Sequence, residues 1–158
     1  MSLRVEIVNG PLSAVKLAAG EGTGALVVFD GVVRGTEAGR PIRALDYQVY
    51  EPMATKQLDL LAQRILTEYG LLGVSVWHSN GLVGVGKASF RLVIEGAHRQ
   101  ESLEAMGEFI ERMKRDVPIW KKPVYLLHAG AKKGARAKPP VPRSVTTEPT
   151  PKQGRKKK

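Results

Sequence analysis

The chain has 158 residues, of which 42% are hydrophobic, and it contains no cysteine. This length suits one ordinary domain, and the apolar content excludes a wholly disordered protein. The lack of cysteine excludes disulfides, thiol nucleophiles and thiolate metal sites, and it fits a reducing cytoplasm, where we expect the protein to be located. The sequence has neither a signal-peptide pattern nor the run of roughly 18 apolar residues that a membrane helix requires.

The formal net charge of +10 is concentrated at the C-terminal end of the chain. Residues 1–129 contain 15 Lys and Arg against 14 Asp and Glu, whereas residues 130–158 contain 10 Lys and Arg against one Glu. The segment 130–158 is also rich in proline and poor in large apolar residues, which predicts a disordered basic tail. The nearly neutral segment 1–129 is predicted to be the folded domain, so its charge does not indicate a nucleic-acid partner.

Apolar patterning predicts the elements of the first third of the chain. Residues 3–8 alternate apolar with polar side chains, as in a strand, and residues 11–19 are predicted to form a short helix. The apolar run 24–29 predicts a buried strand that continues to Arg34. After a glycine-containing loop, residues 42–50 alternate again, and we expect them to form a hairpin with the preceding strand.

Two later stretches have the apolar spacing of amphipathic helices. The first begins at Pro52, and Gly70 is expected to cap its C-terminal end. The second runs from about Gln100 to Asp116 and ends before Pro118, which cannot continue a helix. Its predicted apolar face comprises Leu103, Met106, Phe109, Ile110 and Met113.

The remaining patterns predict strands at 74–78, 89–95 and 119–128, with a glycine-rich turn at 80–86. That turn is not a phosphate loop, because no Lys-Ser/Thr pair and no helix follow its last glycine. Strands joined mostly by hairpins, together with two helices, predict an α+β fold: a mostly antiparallel sheet with two main helices packed on it.

Basic side chains flank two of the predicted corners. Lys114 lies in the last turn of the second helix and Lys121 follows the break at Pro118, so the two lysines can converge from different elements. His98 and Arg99 lie where a strand ends and that helix begins, a position that favours anions. Taken singly, these residues are better interpreted as solvated lysines and a loop histidine. The scattered histidines predict no metal site; His78 is interpreted as structural, and His128 is assigned no role.

Five segments follow one another in an order that is specific as a set. They are FDGVVR at 29–34, YEPMA at 50–54, AHR at 97–99, MK at 113–114 and VPIWKK at 117–122. In order and approximate spacing they resemble the large, catalytic subunit of molybdopterin synthase, over about 100 residues. The resemblance implies an α/β-hammerhead-like form of the α+β fold. It also implies that Lys114 and Lys121 are catalytic, and that the substrate is bound by Val32, Val33, Arg34, His98, Arg99, Lys114, Lys121 and Lys122.

The resemblance further implies a sulfurtransferase of molybdenum cofactor biosynthesis that converts a cyclic pyranopterin monophosphate to molybdopterin. The sulfur would come from the C-terminal thiocarboxylate of a small ubiquitin-like partner, and two large subunits would form a homodimer within a heterotetramer. No cofactor, metal, membrane or specific nucleic acid is expected. Lys114 is our hypothesis for the principal general acid/base and Lys121 for positioning the partner's terminal carbonyl, although the two roles can be exchanged.

Three residues differ from the family pattern: Pro123 stands where an acidic residue is usual, Gly96 replaces a serine and Lys87 replaces an aspartate. Because any role of the acidic residue is lost with Pro123, a non-catalytic scaffold for the small subunit is one alternative. A nucleic-acid-associated protein led by the basic tail is the other.

Overall fold

The computed structural model describes residues 1–127, which form a single compact unit of seven strands and two helices. In chain order the elements are β1 (Ser2–Asn9), β2 (Ala25–Val32), β3 (Thr36–Glu37), β4 (Arg40–Val49), α1 (Met53–Glu68), β5 (Gly73–Gly84), β6 (Ala88–Gly96), α2 (Arg99–Asp116) and β7 (Ile119–Tyr125). The predicted α+β fold with a mostly antiparallel sheet and two helices is confirmed. The predicted tail at 130–158 and His128 lie outside the described residues.

The long strand β5 organises the sheet. Its first part pairs in parallel with β1 and antiparallel with β6, and its last residues, from Gly81 onward, pair antiparallel with β4. Gly81 has a positive φ of 81°, which a glycine adopts without steric cost where β5 passes from β1 to β4. The predicted turn at 80–86 is therefore wrong in extent, because β5 continues to Gly84 and the chain turns around Gly86.

Both helices pack on the sheet and enclose the main core. Leu58 and Ile65 of α1 and Phe109 of α2 are fully buried there, as the helical spacing predicted. Leu103 was predicted to join them but is 57% exposed. Successive helical residues are turned by about 100°, so Leu103 lies at the edge of the buried face that contains its neighbour Ser102. No helix within residues 1–127 is long and apolar enough to cross a membrane.

The ends of the helices follow the residues that predicted them. Gly70 adopts a left-handed φ of 59° just after α1, and the next residue, Leu71, donates its N–H to the carbonyl of Leu66 at 2.9 Å. At the end of α2 the N–H of Val117 still bonds the carbonyl of Met113, and Pro118 then stops the helix. The chain enters β7 immediately afterwards, at Ile119.

The helix predicted at 11–19 is wrong, because this segment has no regular structure. Its backbone groups are bonded to β6 instead: Leu12 donates its N–H to the carbonyl of Ala88 at 2.9 Å, and Arg91 donates to the carbonyl of Ser13 at 3.1 Å. An isolated helix shorter than about 12 residues is marginal in water, so these tertiary hydrogen bonds decide the conformation.

The hairpin predicted between the strands at 24–34 and 42–50 is also wrong. β2 pairs with β6, and the guanidinium of Arg91 fixes that pairing with two hydrogen bonds of 2.7 Å to Asp30. β4 forms a hairpin only with the two-residue strand β3, around Ala38 and Gly39, which both have positive φ. The other partners of β4 are β5 and β7, and β7 ends at Tyr125 rather than at 128.

Truncation of Phe109 tests this account of the core. Phe109→Ala should lower the free energy of unfolding by about 3–5 kcal/mol, because the removed ring leaves a cavity among fully buried neighbours. Leu103→Ala, on the same helix, should change it by less than about 0.5 kcal/mol. Urea denaturation followed by circular dichroism measures both values, and a similar loss for the two variants would contradict the core described above.

Candidate active site

One open cavity of about 560 Å³ lies where the C-terminal end of α2 and strand β7 meet β2, β4, β5 and β6. Its lining includes charged and aromatic side chains. The charged ones are Arg34, Glu37, Lys114 and Lys121, and the aromatic ones are Phe29, Tyr47, His78, Phe90 and Trp120. Among these charged side chains three are cationic and one is anionic, so the cavity favours anionic ligands.

The corner at Pro118 brings the two lysines to this cavity. Lys114 occupies the last turn of α2, and Val117 anchors the corner in the core. Lys121 is on β7, directly opposite Tyr47 of β4. Lys121 lines the cavity together with the preceding residue Trp120, whereas the following residue, Lys122, does not.

A β-bulge turns the end of β2 toward the same place. Gly31 is opposite Phe90 of β6, but the next residue, Val32, is opposite Ala88, so Ser89 is the extra residue of the bulge. A Cβ atom at Gly31 would lie 3.3 Å from the Cβ of Phe90, a tight contact that glycine avoids. Val32 and Arg34 reach the cavity after this bulge.

Lys121 forms an ion pair within the cavity. Its Nζ donates to Oε1 of Glu37 at 2.8 Å, and this hydrogen bond, with the nearby charge of Arg34, lowers the pKa of the Glu37 carboxyl against the opposing effect of burial. Within residues 1–127 no carboxylate forms a salt bridge with Lys114 or Arg34. Lys114 and Arg34 are therefore available to an incoming anion.

His78 lies at the floor of the cavity and is 5% exposed. Its ring packs edge-on against Tyr47, with the ring centroids 5.3 Å apart, and against Phe90 at 5.7 Å. Burial lowers the pKa of His78, although a hydrogen bond of 2.8 Å between Nδ1 and the carbonyl of Ser79 acts in the opposite direction. The imidazole is therefore neutral at pH 7.

The predicted site residues divide into two groups. Those that line the cavity are Val32, Arg34, Lys114 and Lys121, and those that do not are Val33, His98, Arg99 and Lys122. Val33 is buried in a small second core beside Ile42, Leu45 and Val83. The structure therefore brings together half of the predicted residues.

His98 and Arg99 lie at the opposite end of α2 from Lys114. An α-helix rises about 1.5 Å per residue, so Arg99 and Lys114 are roughly 22 Å apart along its axis. Both His98 and Arg99 are exposed, and the N–H of His98 donates to the side chain of Glu101 at 2.8 Å, which caps the helix start. Within one chain these two residues cannot contact a ligand held by Lys114.

Comparison with known proteins identifies the family of this chain. The MoaE protein family matches residues 7–116 of the chain. The chain belongs to the MoaE protein family. It is 37% identical over 112 residues to the molybdopterin synthase catalytic subunit of Dictyostelium discoideum, a match that covers 70% of this chain and 71% of the relative. The predicted resemblance and enzyme class are thereby confirmed, and the protein has a role in molybdenum cofactor biosynthesis.

Solved structures of MoaE-type proteins share the fold. The crystal structure of molybdopterin synthase from Staphylococcus aureus aligns with a TM-score of 0.68 and 30% identity, over 77% of this chain and 90% of that one. A complex of subunits 1 and 2 of the molybdopterin-converting factor from Helicobacter pylori aligns with a TM-score of 0.60 and 26% identity, over 79% and 91%.

Neither Glu37 nor His78 was recognised in the sequence as a cavity residue. Glu37 was assigned only to a loop, although its position three residues after Arg34 was a signal that it stays near that strand end. His78 was interpreted as structural because a lone histidine in an apolar strand carries no further signal. Pairing of β4 with β7 brings Lys121 near Glu37, and pairing of β5 with β6 brings His78 beside Phe90, so both depend on contacts between distant segments.

The Gly96 difference from the family pattern has a local cause in this MoaE protein. A Cβ atom at Gly96 would lie 2.1 Å from Oγ of Ser102, a fully buried residue in the first turns of α2. The hydroxyl of Ser102 in turn donates to the carbonyl of His98 at 2.8 Å. A serine at position 96 would therefore require the hydroxyl of Ser102 to move from this position.

The neutral, buried His78 predicts a specific pH dependence of stability. Below pH about 6.5 this histidine becomes protonated in the unfolded chain but stays neutral in the folded chain. The free energy of unfolding therefore decreases as the pH falls. His78→Phe keeps the ring but removes the titration. Between pH about 7 and about 5.5 the variant should lose less unfolding free energy than the original chain, by up to about 1.4 kcal/mol per pH unit.

Urea denaturation at both pH values measures this difference, and all other titrating groups are common to the two proteins. Identical pH dependence of the two free energies would show that His78 titrates normally in the folded protein.

Proposed function

We propose that this chain transfers sulfur to a cyclic pyranopterin monophosphate and so forms the dithiolene of molybdopterin. The sulfur donor is the C-terminal thiocarboxylate of a small ubiquitin-like partner. After each sulfur has bonded to a carbon of the substrate, water cleaves the acyl–sulfur bond and the partner's terminus leaves as a carboxylate. The complex of two subunits from H. pylori supports such a partner. The cytoplasmic location expected from the lack of cysteine is part of the same proposal.

The observation that carries this proposal is the convergence of Arg34, Lys114 and Lys121 on one cavity. The substrate phosphate and the thiocarboxylate are both anions, so they repel each other unless cations lie between and around them. Arginine and lysine side chains bind such groups through charge-assisted hydrogen bonds, and holding both reactants in one cavity removes much of the entropic barrier to their reaction. The nucleophilic sulfur comes with the partner, so the chain itself needs no cysteine.

We assign the principal general acid/base role to Lys114 and the carbonyl-positioning role to Lys121. Lys121 already donates to Glu37 at 2.8 Å, which holds its ammonium group in place and suits it to a fixed electrostatic role. Lys114 has no carboxylate partner within residues 1–127, and its flexible side chain at the helix end suits proton transfer. Arg34 would bind the phosphate.

Three neighbouring lysines provide the test. Lys114→Ala should lower the rate of product formation by about 10²–10⁴ because a general acid/base is removed, and Lys121→Ala should also be severe. Lys122→Ala is the matched control, since this exposed residue lies outside the cavity, and it should retain most activity. Purified protein is incubated with the cyclic precursor and thiocarboxylated partner, and the product is quantified after oxidation to a fluorescent form. Equal, mild losses in all three variants would mean that these lysines form only a solvated surface.

We further propose that His98 and Arg99 act in the cavity of a second copy of this chain. They cannot reach their own cavity, which is roughly 22 Å away along α2. In a symmetric dimer the helix start of one copy can lie beside the cavity of the other, so that two equivalent sites form. The homodimer within a heterotetramer that the resemblance implies is consistent with such sharing.

Co-expression of two inactive variants tests the shared site. A mixed dimer of His98→Ala and Lys114→Ala copies contains one site with both residues intact and one site lacking both. Random mixing should therefore restore roughly a quarter of the original activity, since half of the dimers are mixed and each has one working site. Separately tagged copies allow the mixed dimer to be purified and assayed alone. If the purified mixed dimer is as inactive as each parent variant, the two residues do not act across copies.

A further inference from the structure

The floor of the cavity presents hydrogen-bond acceptors. A carbonyl oxygen can only accept, so the contact of 2.8 Å between Nδ1 of His78 and the carbonyl of Ser79 requires that Nδ1 carries the proton. The other nitrogen, Nε2, then carries a lone pair. Nε2 has no hydrogen-bond partner within residues 1–127. In that part of the chain the one side-chain polar atom that is both buried and unpaired is Oγ of Ser79, so Nε2 is not fully buried. The lone pair of Nε2 is thus accessible from the cavity.

Tyr47 adds a second acceptor beside it. The hydroxyl of Ser89 donates its only proton to the carbonyl of Gly31 at 3.2 Å. The contact of 2.8 Å between Ser89 and the Tyr47 hydroxyl must therefore use the proton of Tyr47. The oxygen of Tyr47 keeps a free lone pair at the cavity, and this residue lines it together with His78.

The surrounding walls suit a flat ring. The rings of Phe29 and Phe90 are 6.1 Å apart at 55°, and both line the cavity next to His78. Aromatic side chains pack well against the faces and edges of planar heterocycles. The cavity thus has aromatic walls and acceptor atoms at its floor, whereas its cations belong to the corner at Pro118 and the end of β2.

We propose that His78 recognises the heterocycle of the substrate, accepting a hydrogen bond through Nε2 from an N–H group of the ring, with Tyr47 as a second acceptor. The ring then lies inward and the phosphate lies toward Arg34 and Lys114. This inference rests on the proposed function, since it assigns a binding residue to the same site. A pterin fits the floor because its aminopyrimidinone edge is rich in N–H donors, whereas a ring that offers fewer donors leaves an acceptor unpaired.

Two neutral probes separate ring recognition from phosphate binding. The first is 6-hydroxymethylpterin, and the second is 6-hydroxymethyllumazine, in which a carbonyl oxygen replaces the 2-amino donor. Inorganic phosphate serves as the third probe, for the cationic side of the cavity. Calorimetric titration of the purified full chain gives the dissociation constant of each.

The expected result concerns His78→Phe, which keeps an aromatic ring but has no acceptor. Its affinity for 6-hydroxymethylpterin should fall about tenfold, its preference for the pterin over the lumazine should disappear, and its affinity for phosphate should stay unchanged. Tyr47→Phe, which keeps the packing of that ring, should weaken pterin binding in the same direction and remains informative if His78→Phe fails to fold. Trp77→Phe is the matched control, because Trp77 is the preceding residue of β5 and bonds to Glu6 outside the cavity, and it should bind all three probes normally.

The outcomes distinguish this inference from the proposed function. If the original chain forms product, and His78→Phe and Tyr47→Phe bind 6-hydroxymethylpterin and turn over precursor with unchanged KM, ring recognition by His78 is wrong while the function stands. A chain that does not bind 6-hydroxymethylpterin at all also overturns it. If the original chain binds the pterin through His78 but forms no product with precursor and partner, the sulfur-transfer function fails while ring recognition stands.

Discussion

The length of α2 is the constraint on which the site depends. This single helix carries Lys114 at one end and His98 and Arg99 at the other, and its rigidity keeps the two ends roughly 22 Å apart. Its C-terminal end is fixed in the sheet, because Val117 is buried and the chain enters β7 directly after Pro118. The cavity can therefore recruit the helix start only from another molecule, so the proposed chemistry and the proposed dimer depend on the same geometric fact.

The ion pair between Lys121 and Glu37 supplies a carboxylate near the place where Pro123 replaces the family's usual acidic residue. The usual acidic residue after the paired lysines is absent, and Pro123 instead occupies a strand position opposite Leu45. A carboxylate nevertheless reaches Lys121, from β3, which is distant in sequence. An ion pair whose side chains are 49% and 24% exposed contributes little to stability, about 0–1 kcal/mol. The contact is therefore better understood as orienting the Lys121 ammonium than as holding β3 in place, and it weakens the argument for a non-catalytic scaffold.

Local signals in the sequence predicted the elements that depend on local physics. The two helices, their ends at Gly70 and Pro118, and the α+β class follow from apolar spacing and from the backbone limits of glycine and proline. Predictions that needed long-range partners failed. Residues 11–19 were expected to be helical but bond to β6, and the strand at 24–34 pairs with β6 rather than with its sequence neighbour.

The site residues show the same contrast between local signals and long-range contacts. Arg34, Lys114 and Lys121 were identified through the ordered motifs, and the convergence of the two lysines depends on the corner at Pro118, which the sequence shows plainly. Glu37 and His78 reach the cavity only because β4 pairs with β7 and β5 pairs with β6, and no spacing in the sequence encodes those pairings. The protonation state of His78 is even harder to predict from the sequence, because it depends on burial and on a hydrogen bond to one carbonyl of its own strand.

Stability does not account for the polar lining of this cavity. Lys114 and Arg34 are exposed, and neither has a salt-bridge partner within residues 1–127, so neither contributes to folding through an ion pair. The acceptor atom Nε2 of His78 likewise has no hydrogen-bond partner within residues 1–127, so it contributes no hydrogen bond to the fold. Cations and an acceptor that the fold does not need are expected where the side chains are kept for a ligand. The two features together suit a molecule that is anionic at one end and donates hydrogen bonds at the other, which is the polarity of the proposed pterin phosphate.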